Sequence, residues 1–251
     1  MTHLYLIRHG EAVCNVDPTA PAAGPNGDLG LTAKGRIQAE RLRDRLAATA
    51  EIPAGVLIAS TLRRARETAE ILAPALGLPI IWDDEVQELH IGELDGTPWN
   101  EIEHLIPDLR DEPLRPIGPG GENWPQFILR VGRALERIVH AHEGKTIVII
   151  CHGGVIDASF LLFSGMAGFT KPALELHTRN TSITHWELRK QSPSFSTQES
   201  ATAAPLRWTL HRYGDDLHVR DIGAPERIRW TRVNQAGGGA EQLAVPLPTE
   251  E

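Results

Sequence analysis

Cysteine, aromatic residues and basic charge are all scarce in this chain. Two cysteines, Cys14 and Cys151, stand among 251 residues. They make no disulfide framework and read as free thiols in a reducing compartment. Twenty-five Lys and Arg face 33 Asp and Glu, a formal net charge of −8. That argues against a general nucleic-acid binder, which presents a basic face. An anionic substrate stays open, because a locally basic pocket can sit in an acidic protein. No apolar run approaches the roughly 20 residues that span a bilayer. The start, Met1-Thr2-His3-Leu4, has neither the basic region nor the cleavage site of a signal peptide. The expectation is a cytoplasmic protein with no membrane or nucleic-acid partner, and a homodimer is left open.

What is present is the balance of a globular chain, 41% apolar and 23% charged, of a size for one domain with appendages. Residues 3–8 read as a buried strand, and 15–30, rich in Pro, Gly and Ala, as a loop. Thr32 is expected to cap a helix over about 33–48. Val56-Leu57-Ile58-Ala59 reads as a second strand, with Ser60 capping a helix over about 61–76 that Gly77 and Pro79 end. Residues 79–82 make a short third strand. Residues 83–120 are mostly irregular, with a short helix near 98–106.

A strong amphipathic helix is expected over about 122–143, with Trp124, Phe127, Ile128, Val131, Leu135 and Ile138 on one face. Residues 145–151 form the clearest buried strand, and a helix follows over about 154–164. Strands are expected at 182–188 and, at a sheet edge, at 207–213. Residues 190–205 read as a surface insertion, and 223–251 as an extended or disordered extension to a domain of residues 1–222. Alternating strands and helices predict an α/β fold in three layers, a mostly parallel central sheet with helices on both faces.

Two strands end alike, in Arg8-His9-Gly10 and in Cys151-His152-Gly153. As parallel neighbours they bring both histidines to one carboxyl edge, where open α/β sheets bind ligands. The strand ending at Ser60 leads into Leu62-Arg63-Arg64-Ala65, so arginines sit in the first turn of a helix at that same edge. Helix N-termini attract anions. Two histidines with Arg8 and Arg64 describe a pocket for a dianion such as a phosphoryl group. Transfer of that group also needs a proton for the leaving alkoxide. Glu88, in the loop after the third strand, reaches the same edge, and a neighbouring phosphate raises a carboxyl pKa toward that of a general acid.

Other readings of these residues are blander. His3, His104, His140, His142, His177, His211 and His218 read as structural or exposed, and His140 and His142 do not share a helix face. His90 belongs at the pocket or its rim. Glu11 is an alternative acid, or a residue orienting the first loop; Glu93 is another, or solvent-facing. Arg110 and Arg115 sit among Asp108, Asp111 and Glu112 and read as surface ion pairs. Trp99 and Trp124 suit an organic leaving group or ordinary packing. The pocket walls are expected from residues 15–30, 97–121 and Thr178-Arg179-Asn180-Thr181.

Five pieces in order give a resemblance. They are Arg8-His9-Gly10-Glu11 with Asn15, Leu31-Thr32-Ala33-Lys34-Gly35, Ser60 to Ala69, Glu88-Leu89-His90-Ile91-Gly92, and Cys151-His152-Gly153-Gly154. The chain resembles the histidine phosphatase superfamily, also called phosphoglycerate mutase-like. The resemblance implies a metal-independent phosphomonoesterase without cofactor, acting on a small phosphorylated metabolite through a phosphohistidine. His9 would be the nucleophile, oriented by the Gly10 carbonyl. Arg8, Arg64 and a protonated His152 would hold the equatorial oxygens, with Asn15 as a further donor and Gly153 at the phosphate. Glu88 would be the acid. The family position, immediately before the alanine, selects Arg64 over Arg63.

Two alternatives remain at this point. Cofactor-dependent phosphoglycerate mutases carry a long basic insertion after the acid loop. Here Thr97 to Gly121 is short and not strongly basic, which favours a phosphatase over a mutase. An inactive phosphate-binding scaffold would have lost His9, Glu88 or His152, and all three are present.

Overall fold

The computed structural model describes residues 1–166, 176–190 and 206–222. Strands β1 (Thr2–Arg8), β2 (Val56–Ala59), β3 (Ile80–Trp82), β4 (Thr146–Cys151), β5 (Ile183–Lys190) and β6 (Leu206–Asp215) make one sheet in the order β3-β2-β4-β1-β5-β6. The first four in that order are mutually parallel. β5 and β6 are antiparallel to their neighbours, and β6 forms the edge. The helices are α1 (Val13–Val16), α2 (Ala33–Thr49), α3 (Arg63–Leu76), α4 (Trp99–Ile102), α5 (Trp124–Ala141) and α6 (Gly153–Phe163). No helix among the described residues is long and apolar enough to cross a membrane.

The unbroken apolar runs of β1 and β4 follow from burial on both faces. Side chains alternate across a strand, so Leu4 and Leu6 join Phe127, Leu135 and Ile156 from α5 and α6. Tyr5 and Ile7 join Leu42, Ala69 and Leu72 from α2 and α3 on the opposite face. Each buried Leu, Ile or Phe side chain among these stabilises the fold by about 1.5–3 kcal/mol. The three-layer α/β architecture is therefore the one the residue pattern predicts.

Local signals set the helix ends. The Thr32 hydroxyl accepts the Gly35 N–H at 2.9 Å, and Gly77 leaves α3 at φ 65°. Asn123 and Gln126 exchange hydrogen bonds in a capping box that opens α5. One expected cap is wrong. Leu62, not Ser60, is the N-cap of α3, and Ser60 lies two residues before that cap. Its hydroxyl accepts the Leu62 N–H at 3.3 Å and bonds across the sheet edge instead.

Residues 17–31 lack regular structure yet are firmly held. The Asp95 carboxylate accepts N–H groups from Gly24 at 2.9 Å, Asn26 at 2.8 Å and Gly27 at 2.9 Å. Ala22 N–H donates to the Thr97 carbonyl at 2.7 Å, and Gly96 N–H returns to Ala22 at 3.1 Å. The short helix expected near 98–106 is the single turn of α4. The insertion expected at 190–205 falls, from 191 onward, outside the described residues, as does the extension 223–251.

At the start of α2 two backbones touch. A Cβ on Gly35 would lie 2.0 Å from the Glu11 carbonyl oxygen, and one on Gly10 would lie 2.4 Å from that of Gly35. Glycine is needed at both positions for this approach. Gly35→Ala is expected to lower stability by about 1–3 kcal/mol, as overpacking does. A denaturant midpoint unchanged from wild type would refute the tight contact.

Candidate active site

Parallel registry brings the chemistry together. Arg8 pairs with Cys151, and Ala59 with Ile150. The next residues, His9, His152 and Ser60, therefore leave the sheet at one edge. The His9 and His152 ring centroids are 5.2 Å apart. One pocket is lined by Arg8, His9, Asn15, Arg64, Glu88 and Gly153, together with Cys14, Pro21, Ala22, Ala23, Leu89, Ile91 and Trp99.

His9 is buried and held at both ring nitrogens. Nδ1 lies 2.7 Å from the Gly10 carbonyl, and the Arg64 Nε–H donates to Nε2 at 3.2 Å. A carbonyl only accepts and a guanidinium only donates. The imidazole proton is therefore on Nδ1, and Nε2 carries a lone pair. Burial, then the Arg64 and Arg8 charges, hold the His9 pKa well below the usual histidine range, with the Gly10 bond acting the other way. The ring is a neutral base at neutral pH.

The backbone around His9 is fixed from three sides. Its N–H donates to the Cys151 carbonyl at 3.0 Å. Its carbonyl accepts the Asn180 amide Nδ2 at 2.9 Å. The Gly10 N–H meets the Thr68 hydroxyl at 3.0 Å, and that hydroxyl donates to the Arg64 carbonyl. Arg64 and Thr68, one helical turn apart, thus serve the pocket and the loop beneath it.

Arg64 is the most constrained cation. Asp28, itself buried, accepts both the Arg64 backbone N–H at 3.1 Å and Nη1 at 2.9 Å, and Nη1 also meets the Ala23 carbonyl at 3.0 Å. Burial alone would lower its pKa, but Asp28 and other nearby anionic groups raise it on balance. Arg8 is buried too and gives Nη1 to the Thr178 carbonyl at 2.7 Å. Arg63 points away and pairs with Glu67 at 2.8 Å in the exposed i,i+4 arrangement.

His152 departs from expectation. Burial and then the charges of Arg64, His9 and Arg8 hold its pKa well below the usual histidine range, so the ring is neutral rather than cationic. Its Nε2 lies 2.8 Å from the Ser60 hydroxyl. That hydroxyl already accepts from Leu62 and has no other acceptor among the described residues. The Ser60 proton therefore goes to Nε2, and the ring proton to Nδ1. Nδ1 is buried with no hydrogen-bond partner among the described residues. A neutral His152 is thereby left with a donor to give.

Glu88 is nearly buried. Its oxygens accept the Leu89 and Gly154 N–H groups, each at 3.1 Å. A Cβ on Gly154 would lie 2.2 Å from Glu88 Oε1, so the second glycine after His152 makes room for the carboxylate. Asn15 Oδ1 accepts the Ala12 N–H at 3.0 Å, which leaves its amide Nδ2 as the group it can offer.

Residues 4–200 match the model of the histidine phosphatase superfamily, branch 1. The chain belongs to this superfamily. A metal-independent phosphoserine phosphatase of Arabidopsis thaliana is 28% identical over 236 residues, 90% of this chain and 87% of the relative. A probable phosphoglycerate mutase, GpmB, of Escherichia coli O1:K1 / APEC is 30% identical over 223 residues, 87% of this chain and 95% of the relative. The structure of Bacillus stearothermophilus YhfR superposes with a TM-score of 0.67 at 29% identity, covering 87% of this chain and all of that one.

Several expected residues of this histidine phosphatase lie elsewhere. His90 is half-exposed, 3.1 Å from Gln87 Oε1, and does not line the pocket. Asn180 braces His9 from behind and does not line it either. Of 97–121 only Trp99 contributes to the wall, and Trp124 is core. Glu11 orients the first loop through Thr32 at 2.7 Å and Lys34 at 2.8 Å. Glu93 is exposed, and Arg115 pairs with Glu112 at 2.7 Å. Asp28 holds Arg64 and Ser60 holds His152, and both roles escaped the sequence reading. Asp28 sits in a glycine-rich loop whose partner is 36 residues away, and Ser60 resembled an ordinary helix cap.

The ring environments make a titration forecast. His9 and His152 are expected to stay neutral from pH 8 down past 6.5, without an inflection near the ordinary histidine value. Unfolded chains take up these protons first, so both residues withdraw stability as pH falls below about 6.5. NMR titration of the imidazoles checks this, and a midpoint near 6.5 for His9 would show that the two guanidiniums do not act on it.

Proposed function

We propose that this chain is a metal-independent phosphomonoesterase working through a phosphohistidine on His9, with Glu88 as general acid. The observation that carries the reading is the lone pair of His9 Nε2, facing cations in a pocket that also holds a carboxylate. Nε2 attacks phosphorus as the ester P–O bond breaks in line. Arg8, Arg64 and the Nδ1–H of His152 receive the equatorial oxygens, and Asn15 Nδ2 adds a further donor. A dianion beside His152 pulls its pKa upward, against the pull of the arginines. Glu88 gives its proton to the departing alkoxide. It then takes a proton from water, whose oxygen attacks phosphorus and releases His9 with inorganic phosphate. The Gly10 carbonyl supports the charge that the phosphorylated imidazole bears at Nδ1–H.

Hydrolysis rather than mutase transfer fits the cations on hand. Among the described residues, Arg8 and Arg64 are the guanidiniums in the pocket lining, and both serve the phosphoryl group. A mutase needs further basic side chains for the carboxylate of its sugar acid. The catalytic domain is read as residues 1–222. Both cysteines are free thiols, consistent with a reducing, cytoplasmic setting.

Phosphate release from p-nitrophenyl phosphate in excess chelator should proceed in wild type and fall by at least about 10³-fold in His9→Ala, the loss of a covalent nucleophile. Survival of hydrolysis in that variant, or loss with chelator, would sink the mechanism. Glu88→Ala should slow alkyl phosphates by about 10²–10⁴-fold, the usual worth of a general acid. Aryl phosphates, whose leaving groups need little protonation, should slow much less. Equal slowing of both would remove Glu88 from that role.

A further inference from the structure

The pocket is lined by two chemically distinct kinds of residue. Arg8, Arg64, His9, Asn15 and Glu88 are charged or polar. Pro21, Ala22, Ala23, Leu89, Ile91 and Trp99 carry no charge. Ala22, Leu89 and Ile91 are buried in the free protein. The Trp99 backbone is tied to the same loop, its main-chain N–H donating to the Ala20 carbonyl at 3.0 Å. Asp95 pins the 24–27 backbone from below. The apolar lining is thus already formed and needs no ordering on binding.

Resting on the phosphomonoesterase reading, we propose that the leaving group this pocket selects is an uncharged, apolar alcohol, and that esters bearing a second anionic group are discriminated against. Nearby arginines are engaged elsewhere. Arg63 pairs with Glu67. Arg130 pairs with Glu122 and donates to the carbonyls of Glu85, Gln87 and Glu88. Arg179 pairs with Asp216. Among the described residues, none of these lines the pocket. A carboxylate pressed on the apolar wall loses its water and gains no cationic partner among the described lining residues beyond Arg8 and Arg64, which is a heavy cost. A hydrocarbon or aromatic group there loses only unfavourable hydration and gains contact with Trp99. Compounds such as phosphoserine and phosphoglycerate, which carry a carboxylate close to the phosphate, therefore fit this wall poorly.

The test compares alkyl esters, so that leaving-group acidity is not the variable. kcat/KM is measured for 2-phenylethyl phosphate, methyl phosphate, O-phosphoserine and 3-phosphoglycerate, with p-nitrophenyl phosphate as a general reporter of turnover. The expected result is a preference of about 100-fold or more for 2-phenylethyl phosphate over both carboxylate-bearing esters. In Trp99→Ala the ratio of 2-phenylethyl to methyl phosphate should fall at least about tenfold. Leu89→Ala gives the same readout from a second lining residue should Trp99→Ala fold poorly. Parity or preference for either carboxylate ester overturns the inference while p-nitrophenyl phosphate turnover leaves the phosphatase reading intact. An unchanged ratio in both variants also overturns it. If no ester is hydrolysed, including p-nitrophenyl phosphate, the phosphatase reading fails and this inference with it.

Discussion

A 2.7 Å hydrogen bond between His9 Nδ1 and the carbonyl of the next residue, Gly10, decides which imidazole nitrogen can react. Much of the surrounding structure serves to keep that carbonyl in place. The Gly10 N–H is held by Thr68 from α3, and the Gly10 Cα is pressed against Gly35 at the start of α2. Asn180 and Thr181, from the far end of the chain, take the His9 and Arg8 carbonyls. Three separated segments thereby set one tautomer, and the tautomer leaves the lone pair on Nε2, where it accepts from Arg64.

Charge around that nitrogen is balanced by burial and by distance in the sequence. Burial first, and then two nearby guanidiniums, keep both histidines neutral. The Asp28 carboxylate accompanies Arg64 and keeps it from standing as a lone buried charge, the arrangement that costs most. Ser60 plays the corresponding part for His152, holding one nitrogen so that the other is a donor. A pocket built this way binds a dianion with donors aimed in advance, so little reorganisation accompanies the transfer of charge to phosphorus.

Most of the fold could be read from residue patterns because each strand and helix announces itself locally. Val148 to Cys151 is too apolar for anything but a doubly covered strand, and Phe127, Val131 and Leu135 mark one face of α5. The site was legible to the extent that its residues end strands or begin helices: His9, His152 and Arg64 do so, and Glu88 follows a strand closely. Ser60 and Asp28 were not legible. Their roles depend on partners 92 and 36 residues away, and no local spacing encodes such a pairing. The same holds for the loop at 17–31, whose composition promised a loose connection and whose contacts with Asp95 and Thr97 make a wall.

By itself the sequence determined the order of strands and helices, the membership of the motif pieces and the residue types available for phosphoryl chemistry. These follow from periodicity, capping and short-range sterics, which act over a few residues. Tertiary structure alone decided that β5 and β6 turn antiparallel, that His152 is neutral, and that Pro21, Ala22, Leu89, Ile91 and Trp99 share one pocket with Arg8 and Arg64. Those outcomes depend on burial and on charges brought within a few ångströms from distant segments. Desolvation and Coulomb energies are properties of an assembled interior, and no stretch of the chain carries them alone.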